Sequence, residues 1–487
     1  MNPIKKLASQ TAIYGLSQIV GRFVNYLLVP LHTALFDTAE FGVNALMYSY
    51  VAFFNVLLTY GMETAFFRFS QKQDNPAKVY STALTSIIST SLFFGMLFGV
   101  FSKEVASVIN IPDHPEYVIY FAAIIALDAI SSIPFAYLRQ QNRPIKFAIV
   151  KNISIFTNIL LNLYFLMLCP YVYKEYGTLL PLYNGSLNIG YIFIANLIAS
   201  IITIPLLFKE IMAIKNASFE RKLLREMLIY GLPLMVVGFA GMINETLDRI
   251  IISYVYTDVQ EGLSATGIYG ANYKLSILMA LFIQAFRYAA EPFFFSHAKD
   301  SDKLQIYATV MNYFTLVCLA LFLTVTLYID VFKHFLNSRY WEGLHIVPIL
   351  LLANMFLGMY YNVSIWYKLS DNTNKGALIS ISGAVITLLA NFILVPIMGY
   401  TGSAWATFIC YISMLIICYL VGAKYYPIPY QVGRLLAYVG FALVLYFLAN
   451  NLPFVGATKY VVNGLMLVLF AGTTFVAERK NQAGFIV

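Results

Sequence analysis

Nine ionisable residues of this chain fall inside long apolar runs, where charge is costly and therefore informative. Four are basic (Arg22, Arg249, Lys274, Arg287) and five are acidic (Glu63, Asp128, Glu245, Asp248, Glu291). An ionised side chain at mid-bilayer costs about 2.5–3.5 kcal/mol on insertion scales, so such groups face a partner or a water-filled cavity. Guanidinium groups in that setting suit anions, phosphates above all. Carboxylates suit cations, or a gate held by an ion pair.

Spacing groups these residues. Tyr14, Gln18, Arg22 and Asn25 share one helical face, and Asn44, Tyr48, Asn55, Thr59 and Glu63 form a second polar stripe on the next run. Arg22 lies near the bilayer centre, about 1.5 Å of rise per residue from the start of its run, too deep to snorkel. Two such stripes on consecutive helices suit a shared aqueous cavity, or hydrogen-bonding between helices. Further on, Glu245 and Arg249 stand at i,i+4 in the favourable order, which leaves Asp248 to find another partner. Arg287 and Glu291 stand at i,i+4 in the weaker order, beside Lys274 and Gln284. Glu63 and Glu291 occupy matching places near one membrane face, which suits a gate or a helix-end ion pair. Asp128 sits alone with Ser131 and Ser132 one turn on, and its pairing with Arg22 stays open.

Enzymatic chemistry is not expected. The four cysteines, Cys169, Cys318, Cys410 and Cys418, lie in or at the edge of apolar runs and suggest no disulfide framework or metal site. His334 and His345 are too far apart for a one-face metal pair. No glycine-rich phosphate loop and no nucleophile–base constellation is present, so neither a resident metal nor a cofactor is expected.

The elements that must position these groups are membrane spans. Of 487 residues, 60% are hydrophobic and 11% charged, against about 25% charged in a soluble protein. Fourteen apolar runs start at about residues 9, 41, 79, 116, 146, 184, 228, 264, 304, 343, 376, 402, 432 and 456. The first is too long for a signal-peptide core and reads as a retained span. The net charge of +8 does not imply nucleic acid, because its placement follows the loops. Of 31 basic residues, 22 lie in the N-terminal tail and alternate loops, Arg68, Arg139, Lys146 and Lys151 among them. The opposite loops hold five: Lys103, Lys174, Lys333, Arg339 and Lys459. That bias places both termini in the cytoplasm.

The chain is also duplicated. Arg139, Lys146, Ala148 and Asn162 line up without a gap on Lys368, Lys375, Ala377 and Asn391. Phe41-Gly42-Val43-Asn44 returns as Tyr269-Gly270-Ala271-Asn272, and Tyr14-Gly15-Leu16 as Tyr230-Gly231-Leu232. The expected architecture is an all-α polytopic membrane protein. Residues 1–208 form an N-terminal lobe and 209–227 a linker. Residues 228–424 form a second lobe, and 425–487 hold two extra spans and a tail. Both repeats enter from a basic flank, so they are parallel. The last four spans carry no charge between Lys375 and Lys424 or between Arg434 and Lys459, as scaffold or lipid-facing helices would.

With twelve-plus-two spans, Gly21-Arg22 in the first span and Leu247-Asp248-Arg249-Ile250-Ile251 leading to Gly267-Ile268-Tyr269-Gly270-Ala271, the chain resembles the polysaccharide-export (O-antigen/oligosaccharide-type) flippases. These belong to the multidrug/oligosaccharidyl-lipid/polysaccharide superfamily. The resemblance covers essentially the whole chain. It implies two six-helix lobes around a V-shaped cavity, rocking to alternate access in the bacterial cytoplasmic membrane. It implies a cargo of undecaprenyl-diphosphate-linked oligosaccharide, driven by sodium or proton gradients or the membrane potential. Membrane lipids and the glycan polymerase and export machinery are the implied partners, and nucleic acid is not one. Arg22 matches the basic residue of the first span in related lipid II flippases. Arg287 or Lys274 matches that of the eighth, and Asp37 the acidic residue after the first span. The substrate-facing set is then Arg22, Arg249, Lys274, Arg287, Gln18, Asn25, Asn44 and Tyr48. The gating or coupling set is Asp37, Glu63, Asp128, Glu245, Asp248 and Glu291.

Three other readings rank lower. Drug/cation antiporters of the same fold tend to place a carboxylate in the first span, where Arg22 stands, and have twelve spans. A lipid II flippase differs only in the glycan. A glycan polymerase or ligase needs a substantial outer loop with catalytic residues, and no outer loop here exceeds about fifteen residues.

Overall fold

Prolines, caps and glycines punctuate a wholly helical chain. The computed structural model describes residues 20, 21, 23–216, 218–296, 303–370 and 372–483, and every regular element among them is a helix. Gln18 and Arg22 lie outside the described residues. We number the principal helices α1 (Thr38–Thr59), α2 (Met62–Lys72), α3 (Pro76–Val100), α4 (Pro115–Gln140), α5 (Pro144–Leu163), α6 (Gly190–Leu206), α7 (Arg221–Val255) and α8 (Val259–Leu275). There follow α9 (Ile277–Ser296), α10 (Lys303–Leu327), α11 (Val347–Val363), α12 (Thr373–Met398), α13 (Tyr400–Tyr425), α14 (Val432–Asn451) and α15 (Gly456–Ala483).

Local chemistry explains the boundaries. Asp37 caps α1 by accepting from the Glu40 amide at 2.8 Å, while Glu40 accepts from the Asp37 amide at 3.1 Å, a complete capping box. Proline opens α3, α4 and α5, where its missing N–H costs nothing. Tyr60 and Gly61 adopt left-handed backbone (φ 31° and 71°) and separate α1 from α2. After Pro205 the chain bends by 57° into the short segment Phe208–Lys215.

Among the described residues, eleven helices are long and apolar enough to cross a membrane, or up to twelve if that bent pair is one span. The expectation of fourteen spans differs in two places. The first run is described only in part, with an apolar helix over Phe23–Leu35. The expected single span near 264–295 is broken between α8 and α9. There the Ser276 amide (3.0 Å) and hydroxyl (2.7 Å) both donate to the Tyr273 carbonyl and close a turn.

The chain divides into two compact units, Met1–Gly270 and Ala271–Val487. The boundary falls within α8 and not in the linker 209–227, because α7 and the start of α8 pack into the first unit. In that unit α1 packs against α7 and α4, α3 against α4, and α5 against α6. Glycines permit the closest approaches. A Cβ on Gly42 would overlap the Leu263 carbonyl, and one on Gly267 the Thr38 carbonyl. Thr38 and Ser264 close the same contact through their hydroxyls, 2.6 Å apart. At the other end of α1, the backbones of Gly61 and Gly231 leave no room for a side chain. The core beside α1 is aromatic: Phe121, Phe193, Tyr117 and Tyr48 meet edge to face. In the second unit α12 packs on α13, α11 on α10 and α13, and α10 on α14 and α15.

The duplication is visible in local geometry. Asn162 on α5 and Asn391 on α12, aligned by sequence, each donate a side-chain amide to the carbonyl four residues back, at 2.8 Å in both cases. Both are buried.

Candidate functional site

A polar cavity of about 780 Å³ lies inside the first unit, enclosed by α1, α2, α4, α5, α6 and α7. Two cations line it, Arg139 and Lys151, with three carboxylates, Glu63, Asp128 and Glu245. Uncharged donors and acceptors fill the wall between them, including Asn55, Thr59, Ser131, Ser132 and Thr246. Phe135 and Phe147 supply an aromatic side.

Each charge is held by a different element. Arg139, near the end of α4, forms an ion pair with Glu63 in the first turn of α2. Its guanidinium also lies over the Phe67 ring, 5.2 Å from the centroid. The α1–α2 break at Tyr60 and Gly61 turns Glu63 toward that pair. Asp128 stands mid-way along α4, and Ser200 on α6 donates its hydroxyl to Oδ1 at 3.0 Å. Lys151, two turns into α5, places Nζ over the Phe135 ring, 4.3 Å from the centroid. Glu245 is exposed toward the cavity from α7.

The expected groupings are partly rearranged. Of the second polar stripe, Asn55 and Thr59 on α1 and Glu63 on α2 reach the cavity lining. Tyr48 packs instead in the aromatic core, its hydroxyl accepting from Asn196 Nδ2 at 2.8 Å. Asn44 is half-buried near the α1–α8 contact, with no partner for Oδ1 among the described residues. Arg249 pairs with Asp248 (2.9 Å) and donates to the Glu245 backbone carbonyl (2.8 Å), so the i,i+4 carboxylate pairing is not the contact formed. Asp248 also accepts from the Tyr269 hydroxyl at 2.5 Å, and the Arg249 guanidinium stands 5.6 Å from that ring's centroid. This is a buried lock between α7 and α8. Its geometry follows from the peptide chain: adjacent residues share one carboxylate when the neighbouring helix supplies the third member.

Asp37 is exposed and caps α1. Asn25 is exposed on the partly described first span. In the second unit, Lys274 is half-buried near the end of α8. Arg287 stacks over Tyr361 on α11, 4.1 Å from the ring centroid. Glu291 lies in α9, and its side chain is outside the described residues.

The sequence sets Lys151 and Arg139 with the basic loops, and both belong to the cavity. For Lys151 a signal existed. It stands seven residues beyond Pro144, which opens α5, so it lies two turns inside a helix rather than beside one. Among the described residues no group of three or more His, Cys, Asp or Glu is arranged to hold a metal ion.

A protein-family model described as "Polysaccharide biosynthesis protein" matches residues 33–346. No curated protein matches the chain. Among solved structures, it is similar to one described as "Lipid II flippase MurJ, inward closed conformation". The TM-score is 0.70 at 16% identity, over 97% of this chain and 99% of that one. It is also similar to the inward-facing conformation of a multidrug resistance MATE family transporter of the MOP superfamily. There the TM-score is 0.64 at 13% identity, over 88% of this chain and 96% of that one. The outward-facing conformation of such a transporter gives 0.59 at 13%, over 90% and 99%. At these identities the likeness is one of fold, and the fold is MATE-like.

Proposed function

This chain belongs to the polysaccharide biosynthesis protein family, and from that premise we propose that it carries lipid-linked oligosaccharide units across a membrane by alternating access. The observation that carries the proposal is the cavity of about 780 Å³, walled by hydroxyls, amides and compensated charges inside an otherwise apolar helical unit. Such a wall suits a glycan, which needs many hydrogen-bonding partners and few fixed charges. A cargo anchored by a diphosphate needs cations along its path, and Arg22, Arg249, Lys274 and Arg287 are the proposed contacts from the other elements. The isoprenoid tail stays in lipid throughout.

In this reading the basic-loop end faces the cytoplasm, and the pair between Arg139 and Glu63 is a strut of the gate on that side. The carboxylate of Glu245 is the proposed group for a coupling sodium ion or proton. Asp248, locked by Arg249 and Tyr269, fixes the α7–α8 corner. Surface polysaccharide assembly in the bacterial cytoplasmic membrane, alongside a polymerase and export machinery, is the proposed setting.

The test is a deletion strain. Loss of this protein is expected to leave lipid-linked oligosaccharide accumulated on the cytoplasmic leaflet with surface glycan absent. If the lipid-linked units never form, the protein acts upstream as an enzyme and the proposal fails.

A further inference from the structure

We infer that Lys151 is an anion-binding residue of the first-unit cavity, and that Asp128 is the built-in competitor of the anion for it. The inference rests on the functional reading above only for the identity of the anion, the diphosphate of a lipid-linked glycan.

Three observations carry it. First, the two lining cations differ in their commitments. Arg139 is tied to Glu63 in a direct ion pair, whereas Lys151 forms no ion pair among the described residues. It rests on the Phe135 ring instead, and the charges acting on it are Asp128, Arg139 and Glu63. An anion entering the cavity therefore meets one cation that it need not pull from a carboxylate. Lysine suits this role, because it acts as a compact point charge with three rotatable donors.

Second, Asp128 is held back from Lys151. The Ser200 hydroxyl occupies its Oδ1, and no salt bridge to Lys151 forms. The two charges nevertheless share one cavity wall and act on each other. In the empty state Asp128 balances Lys151 at a distance and lowers the cost of keeping an ammonium inside the membrane. When a phosphate arrives, its oxygens take the Lys151 donors directly, and the carboxylate becomes a repulsive neighbour. The pair thus admits an anion and limits how tightly it is held, which a carrier needs in order to release its load.

Third, the duplicated chain isolates these two residues. The ungapped pairing that sets Asn162 on Asn391 puts Leu357 opposite Asp128 and Ser380 opposite Lys151. The second copy keeps the scaffold without either charge. Both members of the couple are therefore particular to the first copy.

The test uses the purified full-length protein in detergent at low salt, titrated with inorganic pyrophosphate by calorimetry. Wild-type protein is expected to bind. Lys151→Gln is expected to weaken binding about tenfold or more, and Lys151→Arg to retain it. Asp128→Asn is expected to tighten binding several-fold, and the double variant to bind more weakly than Asp128→Asn alone. Thermal unfolding of each variant separates lost binding from lost folding. Binding by Lys151→Gln at the wild-type level overturns the inference, as does weaker binding by folded Asp128→Asn or no binding by the wild type. A parallel leaflet-exchange assay with lipid-linked oligosaccharide keeps the functional reading separate. Binding through Lys151 without glycan exchange sinks that reading and leaves the anion site standing. Exchange that is indifferent to Lys151 does the reverse.

Discussion

The two copies of the repeat share a skeleton and differ in what they do with their charges. Asn162 and Asn391 make the same bond to the carbonyl one turn back. Lys146 and Lys375 also occupy equivalent places, yet their surroundings have parted. Lys146 binds Glu210 through both carboxylate oxygens (2.7 and 2.6 Å), and Glu210 is only 2% exposed. Lys375 instead sits over the ring of Tyr425. Asp128 and Lys151 face a cavity, while Leu357 and Ser380 stand in their places. The two copies share the helical framework, and the Asp128–Lys151 couple belongs to one of them.

The comparison can be broken first at the scaffold. Gly42→Leu drives a side chain into the Leu263 carbonyl, where backbone cannot yield. We expect a loss above about 3 kcal/mol, read as failure to unfold cooperatively in detergent. Gly472→Leu, with nothing within 4 Å of its Cβ position, is the control and is expected to be nearly silent. A tolerated Gly42→Leu would mean that the α1–α8 contact is not part of the framework.

Next come the diverged lysines. Lys146→Ala strands a buried carboxylate, a loss of roughly 2–4 kcal/mol, moderated because Arg143 stays 3.7 Å from Glu210. Lys375→Ala removes a contact with the exposed Tyr425 and should cost under about 1 kcal/mol. Equal losses in chemical denaturation would show that the two positions have not diverged.

The shared asparagines sharpen the same point. Asn162→Ala and Asn391→Ala should each cost about 1–3 kcal/mol, with the two values close together. Their outer partners differ, His32 at 3.0 Å for one and Ser403 at 2.6 Å for the other. A large gap between the two melting shifts would credit those partners rather than the common bond.

The smallest effect concerns a tie in the second unit with no counterpart in the first. Asp330 lies between membrane helices and accepts from Lys333 (2.8 Å) and Lys459 (2.6 Å). Those two hydrogen bonds hold its carboxyl below the ordinary carboxylate range. The folded form therefore gains from ionised Asp330 above the unfolded pKa of about 3.9, and loses that gain as pH falls through the lower folded value. The pair is partly exposed, so the expected change is under about 1 kcal/mol. Asp330→Asn should lower the neutral-pH melting temperature by that small amount, leave the acid-end value almost unchanged, and so flatten the acid side of a pH series.

The sequence made the framework legible because apolar runs, loop charge and an ungapped repeat are all one-dimensional signals. Spacing also located Glu63, Asp128 and Glu245 as unusual. It did not separate Arg139 and Lys151 from the loop residues beside them, because one lies in the last turn of α4 and the other two turns into α5, and composition does not change where either helix meets its loop. Nor did spacing predict that Arg249 would take the adjacent Asp248, since the deciding group, Tyr269, arrives on another helix. Asp37 drew attention through the resemblance, and its local role is that of a helix cap. The break at Ser276 left no mark, because serine closes that turn where proline or glycine would have announced one.

The central claim is that cargo passes through the charged cavity of the first copy. It is tested most directly by reconstituting the protein in vesicles that contain lipid-linked oligosaccharide and timing glycan exchange between leaflets. The account predicts rapid exchange with wild-type protein and exchange reduced about tenfold or more with folded Lys151→Gln. Exchange by Lys151→Gln at the wild-type rate would contradict it.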